Sequence, residues 1–156
     1  MNTAHLLFPQ ADFFLSLPAD RIQRIQEAGS VVPFPGAGGA VRGLSVCGGR
    51  SRIVLNLPGL LPPGAAGSDM ILADGPPLWV LLEGEADGLV LEIQAPLSFS
   101  TPVAKAPRPT GTMVICDRGE RHSAGVAGLI STRRLLVSFR RTAGSLTAIP
   151  ASGGTR

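Results

Sequence analysis

Four side chains of this 156-residue chain could bind a transition metal or act as nucleophile and base: His5, His122, Cys47 and Cys116. A metal site needs several converging ligands, and none of these four lies at close spacing to another. Catalysis by a cysteine needs a partner histidine in an accessible, electropositive setting. His122 follows Cys116 by six residues, which defines no such geometry. We therefore predict two buried free thiols, a histidine in a surface loop, and no metal site.

Two further patterns could carry chemistry. Glu83, Glu85 and Asp87 could supply a general acid and base, but they lie in a predicted hairpin turn, where acidic residues are commonly solvated. The glycine-rich stretch 36–39 is followed neither by a lysine-serine or lysine-threonine pair nor by a predicted helix, so it is no phosphate loop. We predict no catalytic residue and no cofactor, which leaves a binding module; an enzyme with an unrecognised pocket stays an alternative.

The charge pattern bears on partners and location. Thirteen arginines and one lysine give a net charge of +3, but the arginines are scattered in ones and twos, with one tryptophan and six phenylalanines for base stacking. We predict solvated surface arginines, and a nucleic-acid binder on a small barrel stays an alternative. The apolar residues 6–8 lack a preceding basic region and the run Leu78 to Leu82 is too short to span a bilayer, so we expect a cytoplasmic protein without membrane insertion. Two isolated cysteines agree with a reducing compartment.

The elements that must position these side chains are mostly strands. Hydrophobic residues make up 44% of the chain, and 20 glycines with 14 prolines punctuate it with turns. Short apolar runs bounded by turn residues predict an all-β protein. Three hairpins are predicted: residues 6–8 with 13–17, 43–47 with 52–57, and 78–83 with 88–93.

The remaining segments are predicted from their local composition. Asp20 to Glu27 has a capping residue and apolar Ile22 and Ile25 three positions apart, which predicts one or two helical turns. Residues 70–72, 112–116 and 135–139 are predicted strands, and 96–111, with four prolines, a long and partly extended loop. The proline- and glycine-rich stretch 58–68 predicts a boundary between a first lobe at about 5–61 and a second at about 69–142, followed by a loose tail at 143–156.

One stretch of the chain resembles a known family. The segments Phe14-Leu15-Ser16-Leu17-Pro18, Ile22-Gln23-Arg24-Ile25, Val32-Pro33-Phe34-Pro35 and VRGLSVCGGRSRIVLNL follow one another with the spacing of the first lobe of CheW-like domains. Residues 78–93 and Gly125-Val126-Ala127 resemble parts of that family's second lobe. The chain departs from the family where arginine becomes Gly48, proline becomes Ile53, aspartate becomes Asn56 and an acidic residue becomes Arg24. Joint loss of the arginine and the aspartate suggests that Gly48 and Asn56 replace one polar pair.

The resemblance implies both an architecture and a role. It implies two packed, five-stranded small β-barrels and a non-enzymatic adaptor that couples chemoreceptors to a histidine kinase in a chemosensory array. The implied partners are the kinase regulatory domain and the cytoplasmic tip of the receptor. A specialised adaptor of a non-chemotaxis pathway, for example type IV pilus signalling, stays an alternative. By position, the implied partner-binding residues are Ile22, Arg24, Ile25, Gly43, Gly48 and Gly49. Ile22 and Ile25 are equally compatible with ordinary core packing, and Gly43 and Gly49 with simple turns.

Overall fold

The computed structural model describes residues 3–10, 13–33, 40–60, 77–94, 97–109 and 115–141. The strands are β1 (His5–Gln10), β2 (Phe13–Pro18), β3 (Ile22–Glu27), β4 (Val41–Cys47), β5 (Arg50–Asn56), β6 (Pro77–Leu82), β7 (Leu89–Gln94), β8 (Ser98–Ser100), β9 (Ala104–Ala106), β10 (Cys116–His122) and β11 (Gly125–Ile130). The helical segments are α1 (Leu57–Leu60), α2 over residues 132–141, and two 3-10 turns at Ala19–Arg21 and Gly84–Ala86. The predicted all-β class is confirmed.

The strands form two sheets. Sheet A has six strands in the order β8-β1-β2-β11-β10-β9, and sheet B has five in the order β3-β6-β7-β5-β4. Neighbouring strands pair antiparallel except β11 with β2 and β5 with β7, which are parallel. The three predicted hairpins are confirmed as β1-β2, β4-β5 and β6-β7. The division into lobes at 5–61 and 69–142 stays a prediction. Each of the two hydrogen-bonded sheets contains strands from both of these ranges.

One apolar core lies between the two sheets. It combines side chains of sheet A, such as Leu6 and Leu15, with side chains of sheet B, such as Leu82 and Leu91. A smaller cluster, which contains Trp79, lies on the other face of sheet B. Strands β6 and β7 and the second half of β5 are therefore buried on both faces, which explains the apolar runs 78–82, 89–91 and 53–55.

Sheet A is strongly curved. The side chains of His5 on β1 and Glu120 on β10 touch, although β2 and β11 lie between those strands in the sheet. The edge strands β8 and β9 are consecutive in the chain, and the Val103 amide between them donates to the Arg121 carbonyl at 2.8 Å. The concave face of sheet A is consequently enclosed by its own strands, and side chains of β1, β2, β8 and β10 meet inside it.

The predicted helical turns at Asp20 to Glu27 are wrong beyond Arg21, because Ile22–Glu27 form strand β3. A β-bulge between Ile22 and Arg24 gives β3 one extra residue against β6. In a regular strand, residues three apart point to opposite faces, and the extra residue restores them to one face. Ile22 and Ile25 accordingly both pack against the main core. Two core residues three positions apart are also typical of a helix, which is why the sequence predicted one.

The predicted strand at 135–139 is also wrong, because these residues belong to helix α2. The hydroxyl of Ser131 accepts a hydrogen bond from the Arg134 amide three residues later, which is an N-cap interaction. Leu135 is fully buried, and Leu136 and Phe139 pack on the same core. The apolar residues that suggested a strand therefore form the buried face of helix α2.

Other predicted segments differ in part from the structure. The loop predicted at 96–111 contains the short strands β8 and β9. The strand predicted at 112–116 falls largely outside the described residues, whereas β10, which was not predicted, begins at Cys116. The strand at 70–72, most of the boundary at 58–68, the glycine-rich stretch 36–39 and the tail at 143–156 lie outside the described residues. Among the described residues, no helix is long and apolar enough to cross a membrane.

Candidate functional sites

A cluster of five polar side chains lies inside the curve of sheet A. Its members are His5 on β1, Ser16 on β2, Ser100 on β8, and Glu120 and His122 on β10. Oε1 of Glu120 lies 2.8 Å from Nδ1 of His5 and 2.9 Å from Nε2 of His122, and it accepts a 2.7 Å hydrogen bond from the Ser16 hydroxyl. Nδ1 of His122 lies 2.9 Å from the hydroxyl oxygen of Ser100. We call this group the buried polar cluster.

Strand periodicity explains how the cluster forms. Glu120 and His122 are two residues apart on β10 and therefore share a face, while Arg121 between them is exposed. On β1 and β2, His5 and Ser16 lie on the face opposite to the core residues Leu6 and Leu15. Curvature then brings four strands together around one carboxylate. The prediction that His122 lies in a surface loop is wrong, because it is 3% exposed.

The electrostatics of the cluster centre on Glu120. Burial raises the pKa of this carboxyl, but hydrogen bonding with His122, Ser16 and His5 outweighs that effect and holds the pKa below its usual value. Glu120 is consequently a carboxylate at neutral pH. Its second oxygen, Oε2, is buried and has no hydrogen-bond partner among the described residues. An unpaired buried carboxylate oxygen is an uncommon feature with an energetic cost.

The cluster is a chemical feature that sequence reasoning missed. His5 and His122 bring two imidazoles to one carboxylate, a donor set able to hold a metal ion, and the ligand atoms of His5, Glu120 and His122 all lie within 4.8 Å of one another. The absence of close spacing in the chain gave no indication of this, because 115 residues separate His5 from Glu120. The sequence did contain one indication: Glu120 and His122 are two residues apart, so in a strand both side chains would lie on the same face.

The residues implied as partner-binding lie mostly around β3 and the β4-β5 turn. Ile22 and Ile25 are half-buried and contact the core, whereas Arg24 is exposed on the edge strand β3. Gly48 and Gly49 form the exposed turn between β4 and β5, with φ of 61° and 80°. This left-handed pair is the backbone of a two-residue hairpin turn.

Arg24 and Gly48 meet in the folded chain. A Cβ atom at Gly48 would lie 3.6 Å from Nη2 of Arg24. The edge of β3 and the β4-β5 turn are thus adjacent, although β3 and β4 lie at opposite edges of sheet B. We call the surface formed by Arg24, Gly48 and Gly49 the edge-turn surface.

Gly43 lies apart from that surface and is buried. Its φ is 145°, and a Cβ atom there would lie 2.1 Å from the carbonyl oxygen of Val32. The amides of Val32 and Leu44 donate to each other's carbonyls at 2.8 and 2.9 Å. Gly43 therefore permits the close approach of the chain's own segment around Val32. Its implied contact with a partner stays a prediction.

The suggestion that Gly48 and Asn56 replace one polar pair is wrong for this hairpin. Gly48 lies in the turn, next to the pair of Cys47 with Arg50. Asn56 lies at the other end of the hairpin, beyond the pair of Val41 with Leu55. The two positions are at opposite ends of β5, about 20 Å apart at about 3.3 Å per residue. Side chains at that separation do not form a hydrogen bond.

A buried arginine lies close to the edge-turn surface. Arg52 on β5 is 3% exposed, and its guanidinium donates to the Cys47 carbonyl at 3.3 Å and to Oε1 of Gln23 at 3.1 Å. Its Nη1 lies 3.6 Å from a carboxylate oxygen of Asp87, which also binds the exposed Arg50. These contacts link β3 to the β4-β5 hairpin and fix the position of one against the other.

The predicted state of the cysteines is confirmed: Cys47 and Cys116 are both buried, and neither is in a disulfide. Glu83, Glu85 and Asp87 are exposed around the predicted turn. There, Glu85 accepts a 2.9 Å hydrogen bond from the Thr132 hydroxyl.

Comparisons with known proteins support the fold. Neither a protein-family model nor a curated protein matches this sequence. Among solved structures, the fold is similar to the scaffolding protein TtCheW from Thermoanaerobacter tengcongensis, with a TM-score of 0.69 and 14% sequence identity. The alignment covers 84% of this chain and 90% of that one. The chain therefore has a CheW-like fold.

Proposed function

We propose that this protein is a non-enzymatic adaptor that couples chemoreceptors to a histidine kinase. The observation that carries the proposal is the similarity of fold to a scaffolding protein over most of both chains. Most of the segments quoted for the CheW-like family lie in β2, β3, the β4-β5 and β6-β7 hairpins and β11. The proposed location is the cytoplasm, and the proposed partners are the regulatory domain of the kinase and the cytoplasmic tip of the receptor.

We place a partner contact on the edge-turn surface. β3 is an edge strand, so one side of its backbone is not used by sheet B, and edge strands are common sites of strand addition or docking. Among the described residues, no acidic group forms an ion pair with Arg24. Arginine is enriched at protein interfaces, and Arg24 is exposed on this surface, whereas the half-buried Ile22 and Ile25 face the main core.

Binding of the purified full chain to two targets tests the proposal: the kinase regulatory domain and the receptor tip encoded in the same genome. Arg24→Glu should weaken binding to at least one of them. Arg118→Glu, a matched charge reversal at an exposed site on sheet A, should leave binding unchanged. If the folded wild-type chain binds neither target, the coupling role is refuted. The remaining adaptor function would then be one in a non-chemotaxis pathway. Equal effects of the two substitutions would refute the placement of the contact.

One observation favours a nucleic-acid binder as a second candidate. Helix α2 carries Arg133, Arg134, Arg140 and Arg141, all exposed, although Arg134 donates to Asp117 at 3.1 Å. Phosphate binding through such a helix would show a steep loss of affinity with salt. Retention of the chain on immobilised DNA or RNA, measured over a series of salt concentrations, distinguishes this function from the adaptor.

A further inference from the structure

We propose that His5, Glu120 and His122 form a binding site for a divalent transition metal ion of the zinc type. The site lies on the concave face of sheet A and is independent of the proposed adaptor function. The side chains of the three residues are 9%, 2% and 0% exposed, so an ion bound there would be almost completely enclosed.

The donor set selects the class of ion. Two imidazole nitrogens and one carboxylate are the ligands of many zinc sites, with bonds of about 2.0–2.2 Å, and a water or hydroxyl can complete the coordination. Magnesium and calcium prefer oxygen ligands, and copper(I) prefers sulfur. Nδ1 of His5 and Nε2 of His122 both face Oε1 of Glu120, at 2.8 and 2.9 Å. Small movements of the side chains suffice to place an ion among these three atoms.

The hydrogen bonds of Glu120 are distributed unevenly between its two oxygens, and this distribution suits a carboxylate that can bind a cation. Three polar groups crowd Oε1, at 2.7, 2.8 and 2.9 Å, while Oε2 is buried and has no partner in the part of the chain that the structure describes. A carboxylate has about four acceptor positions spread over two oxygens, so three neighbours on one oxygen and none on the other is a poor match. A cation between the two rings and the carboxylate would replace the contacts to Oε1 and can bind Oε2 as well.

The surroundings of His122 resemble the outer shell of a metal site. Ser100 lies 2.9 Å from Nδ1 of His122, so it can fix the orientation of the ring with Nε2 directed at the cluster centre. Metal-bound histidines usually have their other ring nitrogen held in this way. Ser16 holds the carboxylate of Glu120 through a 2.7 Å hydrogen bond. Each of these two ligands thus has a supporting hydroxyl.

The chain offers a low background for a direct metal assay, because His5 and His122 are its only histidines. Zn²⁺ alone is titrated by calorimetry into the full chain, prepared without a polyhistidine tag and treated with a chelator. Mass spectrometry with inductively coupled plasma then counts the bound ions after gel filtration. The wild type should bind one Zn²⁺ per chain. Glu120→Gln should lose this ion, whereas Glu92→Gln, a matched change at a carboxylate on sheet B that contacts Trp79 and Arg42, should keep it.

Three results would overturn the site: no saturable binding by the folded wild type, equal binding by Glu120→Gln, or equal loss in Glu92→Gln. If Glu120→Gln does not fold, Ser100→Ala is decisive, because it leaves all three ligands in place. Loss of an outer-shell partner typically weakens metal affinity about 10–100-fold, and that is the change expected here. Unchanged affinity in Ser100→Ala would place the bound ion elsewhere and overturn the proposal.

Discussion

Nδ1 of His5 lies 2.8 Å from Oε1 of Glu120, across 115 residues of chain and two intervening strands of sheet A. The contact exists because the sheet curves far enough for β1 to face β10. It joins the first described strand to one near the end of the chain, so the cluster can form only when the curved sheet is assembled. Polar contacts of this kind, fully enclosed and directed at one carboxylate, couple the stability of the cluster to that of the whole sheet.

Ser16→Ala tests how much the cluster stabilises the protein. The substitution removes a buried 2.7 Å hydrogen bond to an ionised carboxylate, so the free energy of unfolding should fall by about 1.5–3 kcal/mol. Ser98→Ala, at an exposed serine in β8, should change it by less than about 0.5 kcal/mol. Urea unfolding in the presence of a chelator measures both. Equal stabilities of the two variants would show that the Ser16 hydroxyl does not hold Glu120.

The three hairpins were predictable because each depends on neighbouring segments of sequence. The runs 43–47 and 52–57 carry apolar residues on both sides of two consecutive glycines, and local turn chemistry fixes their pairing. By contrast, β3 was predicted as a helix because a single bulge shifts Ile22 and Ile25 onto one face. No pattern within those eight residues distinguishes the two structures; the pairing with β6 does.

The buried polar cluster was unpredictable for a different reason. Its residues come from the β1-β2 hairpin and from β8 and β10, which are distant from that hairpin in sequence. Both β8 and β10 lay outside the predicted elements. A search for ligands at close spacing cannot find such a site. Similarly, the exposed edge-turn surface was anticipated only through the family resemblance, while the adjacency of Arg24 and Gly48 depends on how the two edges of sheet B meet.

Gly43→Ala should be much more destabilising than Gly49→Ala. Both glycines have positive φ. At Gly49, whose φ of 80° is near the left-handed α region, an alanine costs about 1–2 kcal/mol. Among the described residues, a Cβ at Gly49 meets nothing within 4 Å, but at Gly43 it would lie 2.1 Å from the Val32 carbonyl oxygen. Thermal unfolding should therefore show the larger decrease for Gly43→Ala. Hydrogen exchange should also accelerate at the amides of Val32 and Leu44, and unchanged protection there would contradict the close approach.

Cys116→Ala should partly rescue Gly128→Ala. A Cβ at Gly128 would lie 2.9 Å from Sγ of Cys116, and its next neighbours are 3.4 Å or farther away. Each single substitution should destabilise the protein: Cys116→Ala because it leaves a cavity, and Gly128→Ala because it overpacks the core. The double variant should be more stable than the sum of the two effects, with a coupling of about 0.5–3 kcal/mol. Strict additivity in denaturant unfolding would show that this contact does not limit the packing.

Gly48→Arg tests the adjacency of β3 and the β4-β5 turn. The Cβ of the new side chain would lie 3.6 Å from Nη2 of Arg24, so the substitution would bring a second positive charge close to the Arg24 guanidinium. Like charges about 4 Å apart in water repel by about 1 kcal/mol, and salt screens the repulsion. Gly49→Arg is the matched control, because it adds the same side chain at a positive φ, where a Cβ has no neighbour within 4 Å in the described part of the chain.

Gly48→Arg should accordingly be less stable than Gly49→Arg at low salt, and the difference should shrink at high salt. In an Arg24→Gln background the two substitutions should become equivalent, because the repelling charge is gone. Adding Asn56→Asp to Gly48→Arg should give effects that sum within about 0.3–0.5 kcal/mol, since the two positions lie at opposite ends of β5. Urea unfolding of this set at two ionic strengths provides the measurement. A difference that survives both high salt and Arg24→Gln would mean that backbone strain, rather than the Arg24 guanidinium, distinguishes the two turn positions.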